Sequence, residues 1–166
     1  PVYALAAKKT QLMKILLTGA TGYIGKRLLP LLVEQGHEII CCVRDKNRFY
    51  YPLEFQKNIM VIEVDFLQQE TLSAIPKDID AAYYLIHSMS GSAANFDELE
   101  SISAHNFVQR LNQTKAKQVI YLSGIINDKS LSKHLSSRKK VEEILNTGTF
   151  ATTTLRAGII VGSGSA

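Results

Sequence analysis

The 166-residue chain carries 46% hydrophobic and 20% charged residues and a net charge of +4, the composition of a globular domain with enough chain to bury a sizeable core. Its basic residues are scattered, with Arg138-Lys139-Lys140 the one run, so the dense basic stripe of a nucleic-acid surface is missing. No apolar run approaches the ~20 residues that span a bilayer, and the adjacent Cys41 and Cys42 suit neither a disulfide framework nor a metal site; a reducing, cytoplasmic setting is expected.

The opening PVYALAAKKTQL lacks the length and apolar stretch of a signal peptide. Residues 1–12 read as an extension before a natural start at Met13. Lys14–Leu17 is a first short apolar strand, ending in a glycine-rich turn. A helical pattern follows with Ile24, Leu28, Leu31 and Leu32 on one side, stopping at Gly36; Pro30 inside it removes one hydrogen bond and suggests a bend. EIICCVR and IMVIEVDF read as the second and third strands, QETLSAI as a short helix closed by Pro76, and AAYYLIH as the fourth strand.

The longest helical pattern runs from about Ala94 to Gln113, with Phe96, Leu99, Ile102, Phe107, Val108 and Leu111 as its apolar positions. QVIYLS is a fifth strand, 133–146 a further helix and TTTLRAGIIV a sixth strand. Nearly continuous Val/Ile/Leu strands alternating with helices describe an α/β domain. Its expected form is a doubly wound, Rossmann-type parallel sheet of about six strands with helices on both faces.

The turn LLTGATGYIG places Gly19, Gly22 and Gly25 between the first strand and the first helix. The first glycine permits the tight turn, the second leaves room for a pyrophosphate against the backbone, and the third lets the helix pack on the sheet. The helix N-terminus then faces the anion with free N–H groups. Strand before and helix after is the context that raises this weak motif to a dinucleotide site. At the end of the second strand, where an acidic residue would hold the adenosine ribose of NAD, CCVRD puts Arg44, with Asp45 one residue later. An arginine there pairs with a 2′-phosphate, which favours NADP(H). NAD(H) stays open, with Asp45 on the ribose and Arg44 a solvated strand end.

The ordered segments TGATGYIG, CCVRD, VDF, AAYYLIHSM, NFVQ, VIYLSG, HLSSRKKVEEIL and LRAGIIVGSGSA span nearly all of 13–166. Together they resemble the atypical, extended short-chain dehydrogenases of the NmrA-like NAD(P)H-binding group, including bacterial proteins described as nucleoside-diphosphate-sugar epimerases. The resemblance implies that Gly19, Thr21, Gly22, Tyr23, Ile24, Gly25, Arg44, Asp65, Phe66 and the loop Leu85, Ile86, His87, Ser88 cradle the cofactor, Asp65-Phe66 near the adenine. It implies an oxidoreductase or epimerase acting on an unidentified small molecule, with no metal. Active relatives use a serine and Tyr-x-x-x-Lys; here Ser123, His134 and Arg138 fall on those positions, which makes them the candidate catalytic set. His134 and Arg138 are open to three readings: an acid/base pair, a cofactor clamp without catalysis, or a helix surface on which Arg138 pairs with Glu142. A non-catalytic NADP(H) sensor or assembly scaffold is the rival function. Relatives continue into a substrate lobe where this chain stops at GSGSA, so an exposed apolar edge and homodimer formation are expected.

Overall fold

The computed structural model describes residues 11–87, 96–125, 133–158 and 160–162, leaving aside the side chains of Phe96, Lys133 and His134. Among these residues the strands are β1 (Lys14–Leu17), β2 (Glu38–Val43), β3 (Ile59–Glu63), β4 (Ala81–Tyr84), β5 (Gln118–Gly124) and β6 (Ala151–Ala157). They form one sheet in the order β3-β2-β1-β4-β5-β6, every pairing parallel. This is the doubly wound sheet that the alternation of elements predicts.

Alternation along each strand divides the core into two layers. Ile15, Leu17, Ile39, Cys41 and Val43 pack with Leu29, Leu32 and Val33 of helix α1 (Tyr23–Glu34) on one face. Leu16, Ile40, Cys42, Ala82, Tyr84, Val119 and Tyr121 face the other way. There they meet Phe107, Val108 and Leu111 of helix α2 (Phe96–Leu111) and Val141, Ile144 and Leu145 of helix α3 (Lys133–Leu145). The two cysteines thus point to opposite faces of one buried strand. Helix α1 runs unbroken through Pro30 and stops before Gly36, whose φ of +85° is the left-handed conformation that ends a helix.

Two elements differ from the sequence expectation. QETLSAI forms a 3-10 helix (Gln69–Ala74), not an α-helix. Thr71 explains it: its one hydroxyl hydrogen is shared between the carbonyls of Gln68 and Asp65, and its oxygen accepts from the Asp65 N–H, closing a tight local turn. Helix α2 buries Phe107, Val108 and Leu111 as expected, but not Ile102. Ile102 is 39% exposed, while Glu100, Ser101, Ser103 and Asn106 are buried.

Candidate functional site

The order of the strands reverses between β1 and β4, and a crevice opens above their carboxyl ends. Thr18, fully buried, ties the two ends together: its hydroxyl donates to the Tyr83 carbonyl at 2.9 Å and accepts from the Leu85 N–H at 3.0 Å. Gly19 follows with φ +67° so close to β4 that a Cβ would stand 2.7 Å from the Leu85 carbonyl oxygen. A Cβ on Gly25 would lie 2.3 Å from the Gly19 oxygen. Gly22 is different. Its backbone is extended and a Cβ would meet only the Gly19 oxygen, at 3.2 Å. What a side chain there would fill is the open crevice. Helix α1 starts at this point with no side-chain cap and no acidic residue in its first turn, which leaves its first N–H groups and its positive end for an anion.

Two adjoining pockets occupy the crevice. The smaller, about 210 Å³, brings together Gly19, Thr21, Gly22, Arg44, Asp65 and Phe66. The larger, about 720 Å³, brings together Gly19, Gly22, Tyr23, Ile24, Gly25, Ser123 and Arg138. Leu85, Ile86 and His87 line both. Of the other residues expected here, Ser88 and the side chain of His134 lie outside the described residues; the backbone of His134 belongs to the first turn of α3.

The smaller pocket is shaped by strand ends. Arg44 follows the last residue of β2 and lines the pocket. Asp45 instead caps the 3-10 turn Lys46–Arg48, its carboxylate accepting from the Asn47 N–H at 2.9 Å. The Asp65 carboxylate accepts from the Leu67 N–H at 3.0 Å. The Phe66 ring is buried against Phe107, and its carbonyl accepts from the buried Asn106 amide at 2.7 Å. Phe66 therefore anchors its loop to α2.

The larger pocket holds the polar side chains. Ser123 is 1% exposed, and its hydroxyl makes no hydrogen bond among the described residues. The neighbouring Tyr121 phenol donates to the Arg138 carbonyl at 3.3 Å. Burial pushes that phenol up to about 12; the nearby Ser123 hydroxyl and Arg138 charge only moderate the shift. The Arg138–Glu142 pair considered for α3 does not form. Glu142 is held by Arg156 of β6, whose Nη2 reaches both carboxylate oxygens at 2.9 and 3.0 Å. On the outer side, the Arg27 guanidinium stacks 4.6 Å from the Tyr23 ring centre. Gly162 sits where a Cβ would come 2.1 Å from the Tyr23 hydroxyl.

Glu100, on the wall of this cavity, and Ser137, bonded to it, were not singled out in the sequence. Glu100 lines the larger pocket and is hydrogen-bonded to His87 and Ser137. One signal existed: Glu100 occupies the same helical stripe as Phe107 and Leu111, at i, i+7 and i+11, a place where a lone carboxylate needs a reason. These residues fit a dinucleotide: a side-chain-free Gly22 facing the crevice, an uncapped helix start below it, and an orphaned buried hydroxyl on Ser123.

Residues 19–160 match the NAD(P)H-binding family, and the chain belongs to that family. It is 22% identical over 111 residues to the photosystem II assembly factor Ycf39 of Synechocystis sp., a match covering 67% of this chain and 33% of that protein. The Bordetella bronchiseptica enzyme WbmH in complex with NAD+ superposes with a TM-score of 0.70 at 15% identity, over 89% of this chain and 57% of that one. The Citrobacter sp. triphenylmethane reductase complexed with NADP(H) does so at 0.71 and 20% identity, over 86% and 48%. The two likenesses in structure establish the fold, and the chain spans a third of the curated relative and about half of each solved one. Among the described residues no helix is long and apolar enough to cross a membrane.

Proposed function

We propose that this chain is the NADP(H)-binding domain of an atypical, NmrA-like short-chain dehydrogenase-type protein, serving an oxidoreductase or a sugar-nucleotide epimerase. The observation that carries the cofactor preference is the division of labour after β2: Arg44 lines the smaller pocket while the Asp45 carboxylate is engaged in capping. On this reading the start of α1 holds the pyrophosphate, and Arg44 grips a 2′-phosphate with its planar set of donors. Thr21, Asp65 and Phe66 border the adenosine. Ser123 and Arg138 meet the nicotinamide ribose or a reacting oxygen in the larger pocket. The bound cofactor would supply hydride transfer. The likeness to a reductase complexed with NADP(H) supports this reading. Residues 13–166 are then the binding domain, acting in the cytoplasm, completed by a substrate lobe or by a second copy of the chain.

A reading without turnover is favoured by one feature of the larger pocket. Tyr121 is too weak an acid near neutrality, pushed up to about 12, and Arg138 cannot release a proton to a relay. The chain would then report NADP(H) or use it to lock onto a partner, as the likeness to an assembly factor suggests.

Calorimetric titration with NADP+, NADPH, NAD+ and NADH tests the cofactor. A charge-assisted contact is worth ~1.5–3 kcal/mol, so Arg44→Ala should weaken the phosphorylated forms by about 10- to 150-fold. It should leave NAD(H) within about threefold, since no 2′-phosphate contact is lost. Equal weakening of all four overturns the NADP(H) preference, and no binding of any overturns the dinucleotide reading.

A further inference from the structure

Arg138 is partly buried on the wall of the larger pocket, and the acidic side chains nearest it in the fold are committed elsewhere. Glu142, one turn further along α3, is held by Arg156, and Glu100 is bonded to His87 and Ser137. None of the ion pairs among the described residues includes Arg138. Its carbonyl, not its guanidinium, takes the Tyr121 phenol hydrogen, which fixes that turn of α3 to β5. Gly124 sets the approach. A Cβ there would stand 2.7 Å from Leu135 Cδ2 and 3.8 Å from Arg138 Cδ, so the bare glycine lets the arginine stem lie on the end of β5. The residue before it is Ser123, 1% exposed, whose hydroxyl has no partner among the described residues. A guanidinium without a counter-ion and a buried hydroxyl without a partner each cost free energy. One acceptor group that meets both relieves both.

We propose that Ser123 and Arg138 form a carboxylate receptor, and that the second ligand of this cleft is a small apolar molecule carrying one carboxylate. This names the ligand of those two residues and rests on the dinucleotide reading for the cofactor beside it. The charge count selects the group. One guanidinium matches one carboxylate, paired N–H donors to paired oxygens, and the serine hydroxyl supplies a further hydrogen bond. A phosphate dianion calls for more positive charge, and Arg138 is the only lysine or arginine among the described residues that line this pocket. The start of α1 is taken by the pyrophosphate on the same reading. The rest of the wall sets the body of the ligand. Ile86, Leu122, Ile125, Leu135 and Ile160 line it, and Ile125 and Ile160 are still 45% and 42% exposed, apolar surface that an aromatic or aliphatic body would cover. Such walls leave the hydroxyls of a sugar without partners. Of the two activities proposed above, this ligand fits the oxidoreductase.

Calorimetry on the full chain saturated with NADPH, which occupies the start of α1 and Arg44, tests the receptor. The probes are benzoate, cinnamate and octanoate, each set against its neutral amide, with inorganic phosphate as a further anion. At least one acid should bind ~10-fold or more tightly than its amide, and phosphate no better than the amides. Arg138→Ala should erase the preference. Arg138→Lys should keep part of it, because the charge stays while the paired donors go. Ser123→Ala should weaken the acid ~3- to 10-fold. Equal binding of every acid and its amide overturns the proposal, and so does phosphate that competes with the acids on equal terms. If Arg138→Ala weakens NADPH at least ~10-fold while the preference for the acid survives, the arginine clamps the cofactor ribose; the proposal then falls and the cofactor assignment stands. A chain that binds no dinucleotide yet holds the acid through Arg138 keeps the receptor and sinks the dinucleotide reading instead. Should Arg138→Ala not fold, the difference between acid and amide in the wild type and in Arg138→Lys still decides.

Discussion

The two pockets of the crevice are built in different ways. The smaller is made mostly where four strands end: the turn after β1, Arg44 after β2, Asp65 and Phe66 after β3, and Leu85, Ile86 and His87 after β4, with Ser103 of α2 beside them. Each contribution is a short contiguous motif, and backbone supplies much of the surface. The larger is assembled from α2, α3, β5 and the segment beyond β6, and its polar groups are side chains far apart in sequence. A parallel sheet delivers its strand ends to one edge whatever lies between them. A helix delivers a side chain only after packing has settled which face turns inward. The first pocket follows from topology, the second from tertiary contacts.

The floors beneath the two pockets are nonetheless alike, and the largest expected effect falls on both. Burial pushes the Cys41 thiol up to about 12 and raises Cys42 as well, the Cys41 charge adding to the latter. Burial likewise pushes Tyr121 to about 12. Each group stays protonated in the fold while the unfolded chain loses the proton near 9.0 for the thiols and 10.0 for the phenol. Their stabilising preference is complete below those values and is lost as pH rises towards 12. Each group should contribute a decline of ~1.4 kcal/mol per pH unit in that window. Urea unfolding at a series of pH values from 8 upward measures the slope, and Cys42→Ala and Tyr121→Phe should each flatten it by one group. A midpoint that stays level would show that water reaches these groups.

In the turn after β1, two glycines separate what the fold needs from what a ligand needs. Gly25→Ala sets a Cβ 2.3 Å from the Gly19 oxygen and 2.8 Å from the Ala20 Cα, both backbone. The turn must move, at ~1–3 kcal/mol, and NADP(H) binding should go with it. Gly22→Ala meets one oxygen at 3.2 Å and otherwise open space. It should unfold within ~0.5 kcal/mol of the wild type while binding NADP(H) at least ~10-fold more weakly. Thermal unfolding and calorimetry on both variants check the pair. Equal loss of stability would mean that Gly22 is held by the fold itself.

The sequence made the smaller pocket legible for the reason that distinguishes the pockets. TGATGYIG, CCVRD and VDF lie at strand ends, so their adjacency follows once the strands are assigned. At α2 the apolar positions Phe107, Val108 and Leu111 do turn inward, but the buried polar residues that share this face were not legible. Ile102 lies outward instead because Glu100 and Asn106 find buried partners in His87, Ser137 and the Phe66 carbonyl. Those partners sit on other elements, and no local pattern contains them. The 3-10 turn at 69–74 escaped for a similar reason: Thr71 closes it with bonds that helix periodicity does not register.

The smallest expected effect concerns how the larger pocket's outer strand is fastened. Arg156 grips Glu142 through both oxygens, linking edge strand β6 to α3, but Arg156 is half exposed, so the pair is worth ~0.2–1 kcal/mol. Arg156→Ala should lower the unfolding midpoint by that much, and the loss should shrink in high salt. Arg138→Ala should leave stability within ~0.5 kcal/mol, since Arg138 takes part in none of the ion pairs among the described residues. Its effect belongs in ligand affinity. In the double variant the two losses should add, because the residues share no partner. A loss larger than the sum would mean that Glu142 turns to Arg138 once Arg156 is gone, restoring the i,i+4 contact along α3 that β6 otherwise outcompetes.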